Sequence, residues 1–226
     1  MGEEMKRATG RPSREEQERI SIRLLDAARA AFCRHGMAGA SMDRIAAEAG
    51  VTKHTIYRRY TSKEELLEAV VQQELKRIAN SVRLPDAAEH DEITILKILA
   101  EARFAHSLEP ENIAFKAFLR AESTFSPKFL SRLIEWDGIV VAPFIMAIRN
   151  AQARGFLKAA DPADACEVLF SLIEGGHRWW RMAGGDLRPA RSQSELFDQR
   201  WSLFMTIFAD TASAERSPGW TKSFES

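Results

Sequence analysis

The stretch SMDRIAAEAGVTKHTIYRRYTSK, residues 41–63, decides how the rest of the chain is read. Ser41 suits an N-cap, because its hydroxyl can accept from an unpaired backbone N–H. Asp43 follows in the first turn, where the helix dipole favours negative charge. Ile45, Ala46 and Ala49 share a narrow apolar face at helical spacing. Gly50 falls where a left-handed residue would close this helix, and Val51 turns inward. Thr52 is placed to cap a second helix over residues 53–60. Its main inward residue is Ile56, with Tyr60 one turn later, so Lys53, His54, Thr55, Tyr57, Arg58 and Arg59 face outward. Ser62 and Glu65 have capping-box spacing, so a third helix starts at once. Two short helices around a glycine turn, the second basic and rich in donors, make a helix-turn-helix whose second helix fits the major groove of DNA.

On the N-terminal side, Ile20, Leu24, Ala27, Ala28, Ala31 and Phe32 give one buried face, predicting a helix over 14–35 closed by Gly36. On the C-terminal side, a long helix is expected over 62–82. Pro85 and the acidic run to Asp91 make a loop between head and body. No segment beyond Asp91 alternates like a strand. Caps and breakers predict helices over 91–107, 111–122, 126–154 and 161–182, then 193–211. Ser126-Pro127 and Asp161-Pro162 are start signals, Gly155 and Gly184-Gly185 are stops, and Pro143 is expected to kink the fourth of the chain's long helices. Residues 1–13 read as a disordered basic arm and 213–226 as a loose tail.

Charge supports this division. Residues 1–63 hold 13 Lys/Arg against 8 Asp/Glu, a net of +5, and the remainder is −5, so the overall balance is zero. A basic head on an acidic body concentrates positive potential where phosphates would lie. Cys33 and Cys166 are the two cysteines in 226 residues, too few to staple the fold, so a reduced cytoplasmic protein is expected; a redox disulfide between them is the alternative. The polar start argues against a secretory signal, and the longest apolar run, residues 139–148, is too short to span a bilayer.

With LLDAARAAFCRHG at 24–36, DRIAAEAGV at 43–51, TIYRRY at 55–60 and SKEELL at 62–67, the chain resembles the TetR family of bacterial transcription regulators. The matching residues run from Leu24 to Leu67. Two positions depart from the family pattern: Met42 stands where a second Thr or Ser is common, and His54 where Gly, Ala or Pro is common. The resemblance implies an all-α protein. An N-terminal three-helix DNA-binding head (14–63) would be followed by a larger helical bundle (64–212) that binds a small effector and dimerises through its last two helices. The implied partners are double-stranded operator DNA, a small molecule and a second copy, with no membrane, cofactor or metal.

The DNA-contacting set expected from the two readings is Ser41, Met42, Thr52, Lys53, His54, Thr55, Tyr57, Arg58, Arg59 and Lys63. Arg11 of a GRP-type arm joins it by reaching into the minor groove. Tyr57 and Lys63 flank the recognition helix and are expected on phosphates. Lys53, His54, Thr55 and Arg58 are expected at base edges.

For the body, Phe197, Trp201, Phe204 and Phe208 recur at heptad-like spacing. With Leu169, Ile173 and the small pair Gly175-Gly176 they suggest a dimer seam; the alternative is that they face the subunit's own core. Phe104, Phe118, Glu122, Phe170, Glu174 and His177 are candidate effector contacts, because an apolar cavity with a few placed polar groups is the usual ligand site. Glu174 and His177, three apart, share a helix face.

The expected activity is that of a repressor released from a palindromic operator by a hydrophobic or aromatic small molecule. Rival readings are an architectural DNA-binding protein without effector, and a helical-bundle enzyme. The second lacks a phosphate-binding glycine loop, a metal-spaced Cys/His set or a GxSxG elbow.

Overall fold

The computed structural model describes residues 13–81, 90–175 and 192–210. Among them are nine helices and no extended strand: α1 (Arg14–Gly39), α2 (Met42–Glu48), α3 (Lys53–Arg59), α4 (Lys63–Ser81), α5 (Glu92–Leu108), α6 (Pro110–Phe125), α7 (Pro127–Ala153), α8 (Pro162–Gly175) and α9 (Gln193–Phe208). Arg11, His177, Gly176, Gly184, Gly185 and the tail 213–226 lie outside the described residues. No helix among the described residues is long and apolar enough to cross a membrane.

The chain divides into two compact units between Gln73 and Glu74. The division falls inside α4, ten residues beyond the head boundary expected from the sequence, because the first turns of α4 belong to the head's core. Leu66, Leu67 and Val70 are buried there, as are Leu24, Leu25, Ala28, Ala31 and Phe32 of α1, Ile45 and Ala46 of α2, and Ile56 of α3.

Local signals decide where helices begin and end. Gly36, at φ 66° and ψ 177°, breaks the regular part of α1, and the chain regains helical form to Gly39. Asp91 and Ser126 each accept from a backbone N–H of the following first turn, at 2.8 and 3.2 Å. At Gly155 (φ 78°) the C-terminus of α7 closes in a Schellman motif, with Phe156 N–H to Ala151 O and Gly155 N–H to Gln152 O, both at 2.9 Å. Pro143 lies within α7 on an exposed position, so α7 continues through it. The Ser192/Glu195 pair forms a full capping box at the start of α9, a signal that the sequence spacing already contained.

The body is a bundle in which α5, α7, α8 and α9 surround one apolar core. Leu96, Leu99 and Phe104 enter from α5, and Phe144, Ile148 and Ala151 from α7. Cys166, Leu169 and Ile173 come from α8, with Phe197, Trp201, Phe204 and Met205 from α9. A short antiparallel bridge, Leu157 to Ala209, ties the segment after α7 to the end of α9.

This corrects the expected dimer seam. Phe197, Trp201 and Phe204 are 2 %, 9 % and 0 % exposed, and Leu169 and Ile173 are 0 %. Phe208 is partly buried against the same core. The four aromatics form a continuous ladder inside the subunit, with ring centroids 6.3, 5.6 and 5.0 Å apart along α9, and Phe197 meets Phe104 of α5 at 5.6 Å. Helical spacing identifies a buried stripe but not what buries it. The exposed apolar residues of α9 are Leu203 (49 %) and Ile207 (51 %), on its opposite side.

Phe204→Ala is expected to lower the unfolding free energy by about 3–5 kcal/mol in urea melts, because a wholly buried aromatic leaves a cavity. A loss under about 1 kcal/mol, the range of surface changes, would contradict its placement in the subunit core.

Candidate functional site

In the head, α2 closes on Gly50 at φ 68°. Val51 N–H bonds Ala46 O at 2.9 Å and Gly50 N–H bonds Ala47 O at 3.1 Å, a Schellman motif that sets the turn between α2 and α3. Thr52 then caps α3, its hydroxyl oxygen accepting from Thr55 N–H at 3.2 Å. Ser41 sits at the N-cap of α2 with extended backbone but makes no side-chain cap bond. At the start of α4 Ser62 accepts from Glu65 N–H at 3.2 Å. The Glu65 carboxylate passes Ser62 and bonds the N–H and hydroxyl of Thr61, at 2.7 and 2.8 Å. The box is therefore displaced by one residue from the expected reciprocal pair. Those two bonds hold the Glu65 carboxyl below its ordinary range.

With Ile56 fully buried, α3 presents Lys53, His54, Tyr57 and Arg58 as exposed side chains and Thr55 and Arg59 as half-buried ones. Tyr57 is 49 % exposed. Lys53 is ion-paired with Asp43 of α2, and that hydrogen bond raises its pKa above the ordinary lysine value. Arg34 of α1 pairs with Glu48 of α2 at 2.7 Å. Both pairs are solvent-exposed and worth about 0–1 kcal/mol at most. Tyr60 ends α3 half-buried, with its hydroxyl toward Ser21 and its pKa raised by burial.

Two expected DNA contacts take different positions. Met42 is buried, at 7 % exposure, so an apolar first-turn residue joins the head's core instead of the surface. Lys63 is half-buried, and its ammonium donates to the carbonyls of Met37, Ala38 (3.3 Å) and Ala40 (3.2 Å). An ammonium has three donors, and here all three secure the end of α1. Arg44, exposed on α2 and not singled out from the sequence, is a further cation of the head.

In the body a cavity of about 800 Å³ opens among α5–α8. Val141, Ile145, Ile113 and Phe170 give it apolar walls, and Lys116, Arg120, Asp137, Glu167 and Glu174 supply charge. Of the residues expected there, Phe170 and Glu174 line it. Phe104 is buried against Phe197 and Phe118 stacks on Phe115 at 6.0 Å, so both are packing residues. Glu122 is half-buried and away from the cavity lining.

Glu174 joins three helices. Its Oε1 accepts from Arg103 Nε of α5 at 2.5 Å, and its Oε2 from Lys116 Nζ of α6 at 2.9 Å. The Arg103 guanidinium also lies over the Phe170 ring, 5.1 Å from its centroid. Burial alone would push the Glu174 carboxyl up; the two cations outweigh it and hold it below its ordinary value. Burial, with Arg103 nearby, lowers the Lys116 ammonium despite Glu174. Cys166 lines the same cavity, its thiol pushed up to about 11 by burial and Asp137, which leaves it un-ionised and unreactive at neutral pH. His106 is engaged at the α5–α6 corner, where buried Asn112 bonds its carbonyl at 2.8 Å and meets its ring at 3.0 Å. Among the described residues no Cys, His, Asp and Glu cluster could hold a metal ion.

Comparison with known proteins fits this geometry. The model described as bacterial regulatory proteins, tetR family, matches residues 24–70, and that of the AefR-like transcriptional repressor C-terminal domain matches 94–208. The HTH-type transcriptional repressor SCO4008 of Streptomyces coelicolor is 31% identical over 172 residues, covering 69% of this chain and 76% of that protein. The chain belongs to the TetR family. Its relatives are named as transcriptional repressors, not enzymes. Among solved structures, a TetR-family regulator from Mesorhizobium loti is 25% identical with a TM-score of 0.68, covering 88% of this chain and 100% of that one. AibR, solved with isovaleryl coenzyme A and operator DNA, shares the fold at 17% identity and a TM-score of 0.62, covering 81% and 97%.

The two N-cap positions of this TetR-family head are expected to respond differently. Thr52→Ala should cost about 0.5–2 kcal/mol of stability, because it removes a formed cap bond. Ser41→Ala should cost close to nothing. Equal losses in chemical denaturation would contradict the cap geometry.

Proposed function

We propose that this TetR-family protein is a homodimeric repressor that reads a two-fold operator with α3 and is released when a small molecule fills the body cavity. The observation that carries the reading is the pairing of two features in one chain. An exposed donor-rich helix is held by a buried Ile56, and a cavity of about 800 Å³ is walled by apolar side chains with a few placed charges. AibR, which shares the fold, was solved with both a ligand and operator DNA.

Lys53, His54, Thr55 and Arg58 are proposed to reach base edges, with Tyr57 and Arg59 on the phosphates. Ser41, Thr52 and Arg44 lie beside them, and Arg11 would extend the contact from the N-terminal arm. Lys53 can reach a base only by exchanging Asp43 for it, and a guanine edge is the acceptor that compensates a cation for that loss. A palindromic operator requires two heads. The exposed Leu203 and Ile207 of α9, with the outer side of α8, are the surface proposed for pairing two subunits. Helix α4 contributes residues to both units, so it is the element through which cavity occupancy would change the head. A ligand can do so only through different affinity for the DNA-bound and released states. The reading implies a cytoplasmic site of action.

Selecting bound sequences from random DNA tests the assignment. Lys53→Ala and His54→Gly are expected to give altered half-sites, with about 1–3 kcal/mol of discrimination lost at the guanine that Lys53 contacts. Half-sites identical to wild type in both variants would overturn the base-reading role of α3. Enrichment of no sequence would favour the architectural alternative.

A further inference from the structure

The buried charge in the body cavity is unbalanced. Arg103 and Lys116 share one carboxylate, that of Glu174. Arg103 is 7 % exposed and Glu174 26 %, so the cluster is largely out of water. A guanidinium carries five N–H donors and an ammonium three. Among the described residues Arg103 donates only its Nε and Lys116 only one N–H, both to Glu174. The remaining donors have no acceptor there. Arg120, four residues beyond Lys116 on α6, also lines the cavity, and no ion pair engages it among the described residues. Asp137 and Glu167 line the cavity too, but both are exposed, where water and salt weaken their field.

A buried ion cluster is a poor stabiliser, since desolvation cancels much of its attraction. A surplus cation in an apolar site is costlier still unless an anion arrives. The Phe170 ring beneath Arg103 holds the guanidinium in place, and Val141 and Ile145 continue the apolar wall from there.

Resting on the effector reading above, we infer that the ligand is an amphipathic acid: an apolar skeleton against Phe170, Val141 and Ile145, and one carboxylate bound by Lys116 and Arg103. The acid adds to Glu174 as a second acceptor for the two cations. Charge-assisted hydrogen bonds are about twice as strong as neutral ones, so the acid binds more tightly than a neutral molecule of the same shape. A cationic molecule is repelled.

The test uses the full-length protein and three probes with one skeleton: 4-phenylbutyrate, its primary amide, and 4-phenylbutylamine. Calorimetry and thermal shift read binding. The acid is expected to bind about tenfold more tightly than the amide, a difference of about 1.4 kcal/mol, and the amine not at all. Lys116→Met, which keeps the apolar stem, is expected to remove that preference while leaving amide binding unchanged. If that variant fails to fold, Arg120→Gln, at an exposed position, is expected to weaken the acid and spare the amide. Glu174→Gln removes the resident competitor for both cations and is expected to tighten acid binding severalfold. Acid and amide binding equally, or the amine binding best, overturns the inference and leaves the effector cavity standing. No binding by any probe overturns both.

Discussion

The head depends on the burial of one side chain, Ile56. A helix of seven residues is too short to persist alone in water, and α3 carries few helix-favouring residues to offset that. Its shape comes from outside: Ile56 is completely buried, Thr52 caps the first turn, and the Schellman turn at Gly50 sets its approach from α2. Once Ile56 points inward, helical geometry leaves Lys53, His54, Tyr57 and Arg58 on the exposed side. The basic face is therefore a consequence of the core. The Lys53–Asp43 pair keeps the first cation of α3 close to the surface until a better acceptor replaces the carboxylate. Lys63, clamped on three carbonyls at the end of α1, makes the start of α4 part of the same rigid unit.

The body faces a different problem. Its aromatic ladder along α9 already supplies a close-packed core, so the Arg103–Glu174–Lys116 cluster is not needed to hold the bundle together. Three helices bring these groups to one wall of a cavity that the core does not fill. Burying charge beside empty apolar volume costs stability, and such costs concentrate where a protein binds something. The same burial keeps Cys166 a protonated thiol, which argues for packing at that position and against the redox role that two cysteines in the sequence left open.

Much of this was legible from short-range signals. Gly50, Gly155, Thr52, Asp91 and Ser126 each act within a few residues, so their types and spacing nearly determine the local backbone, and the helix order follows. Long-range partners were not legible. The stripe Phe197, Trp201, Phe204 and Phe208 reads equally as a dimer seam or as core, because periodicity reports a buried face without naming its neighbour. Met42 and Lys63 were expected at DNA by position in a motif, but their side chains had apolar volume and open carbonyls to satisfy within the head. Arg103, Lys116 and Glu174 are scattered over 71 residues, and only packing of α5, α6 and α8 brings them together. Phe170 and Glu174 were recognised because an acid on an apolar helix stands out by itself; Lys116 and Arg120 carried the same signal at i, i+4 on α6.

The account's central claim is that an Ile56-anchored α3 from each of two subunits enters successive major grooves. Hydroxyl-radical footprinting on a genomic fragment retained by the purified protein tests it most directly. The expected result is two equivalent protected patches related by a two-fold axis, with centres about one helical turn or a whole multiple of it apart. Ile56→Ala should abolish both together while the body keeps its fold. A single protected patch, or protection spread evenly regardless of sequence, would contradict the claim.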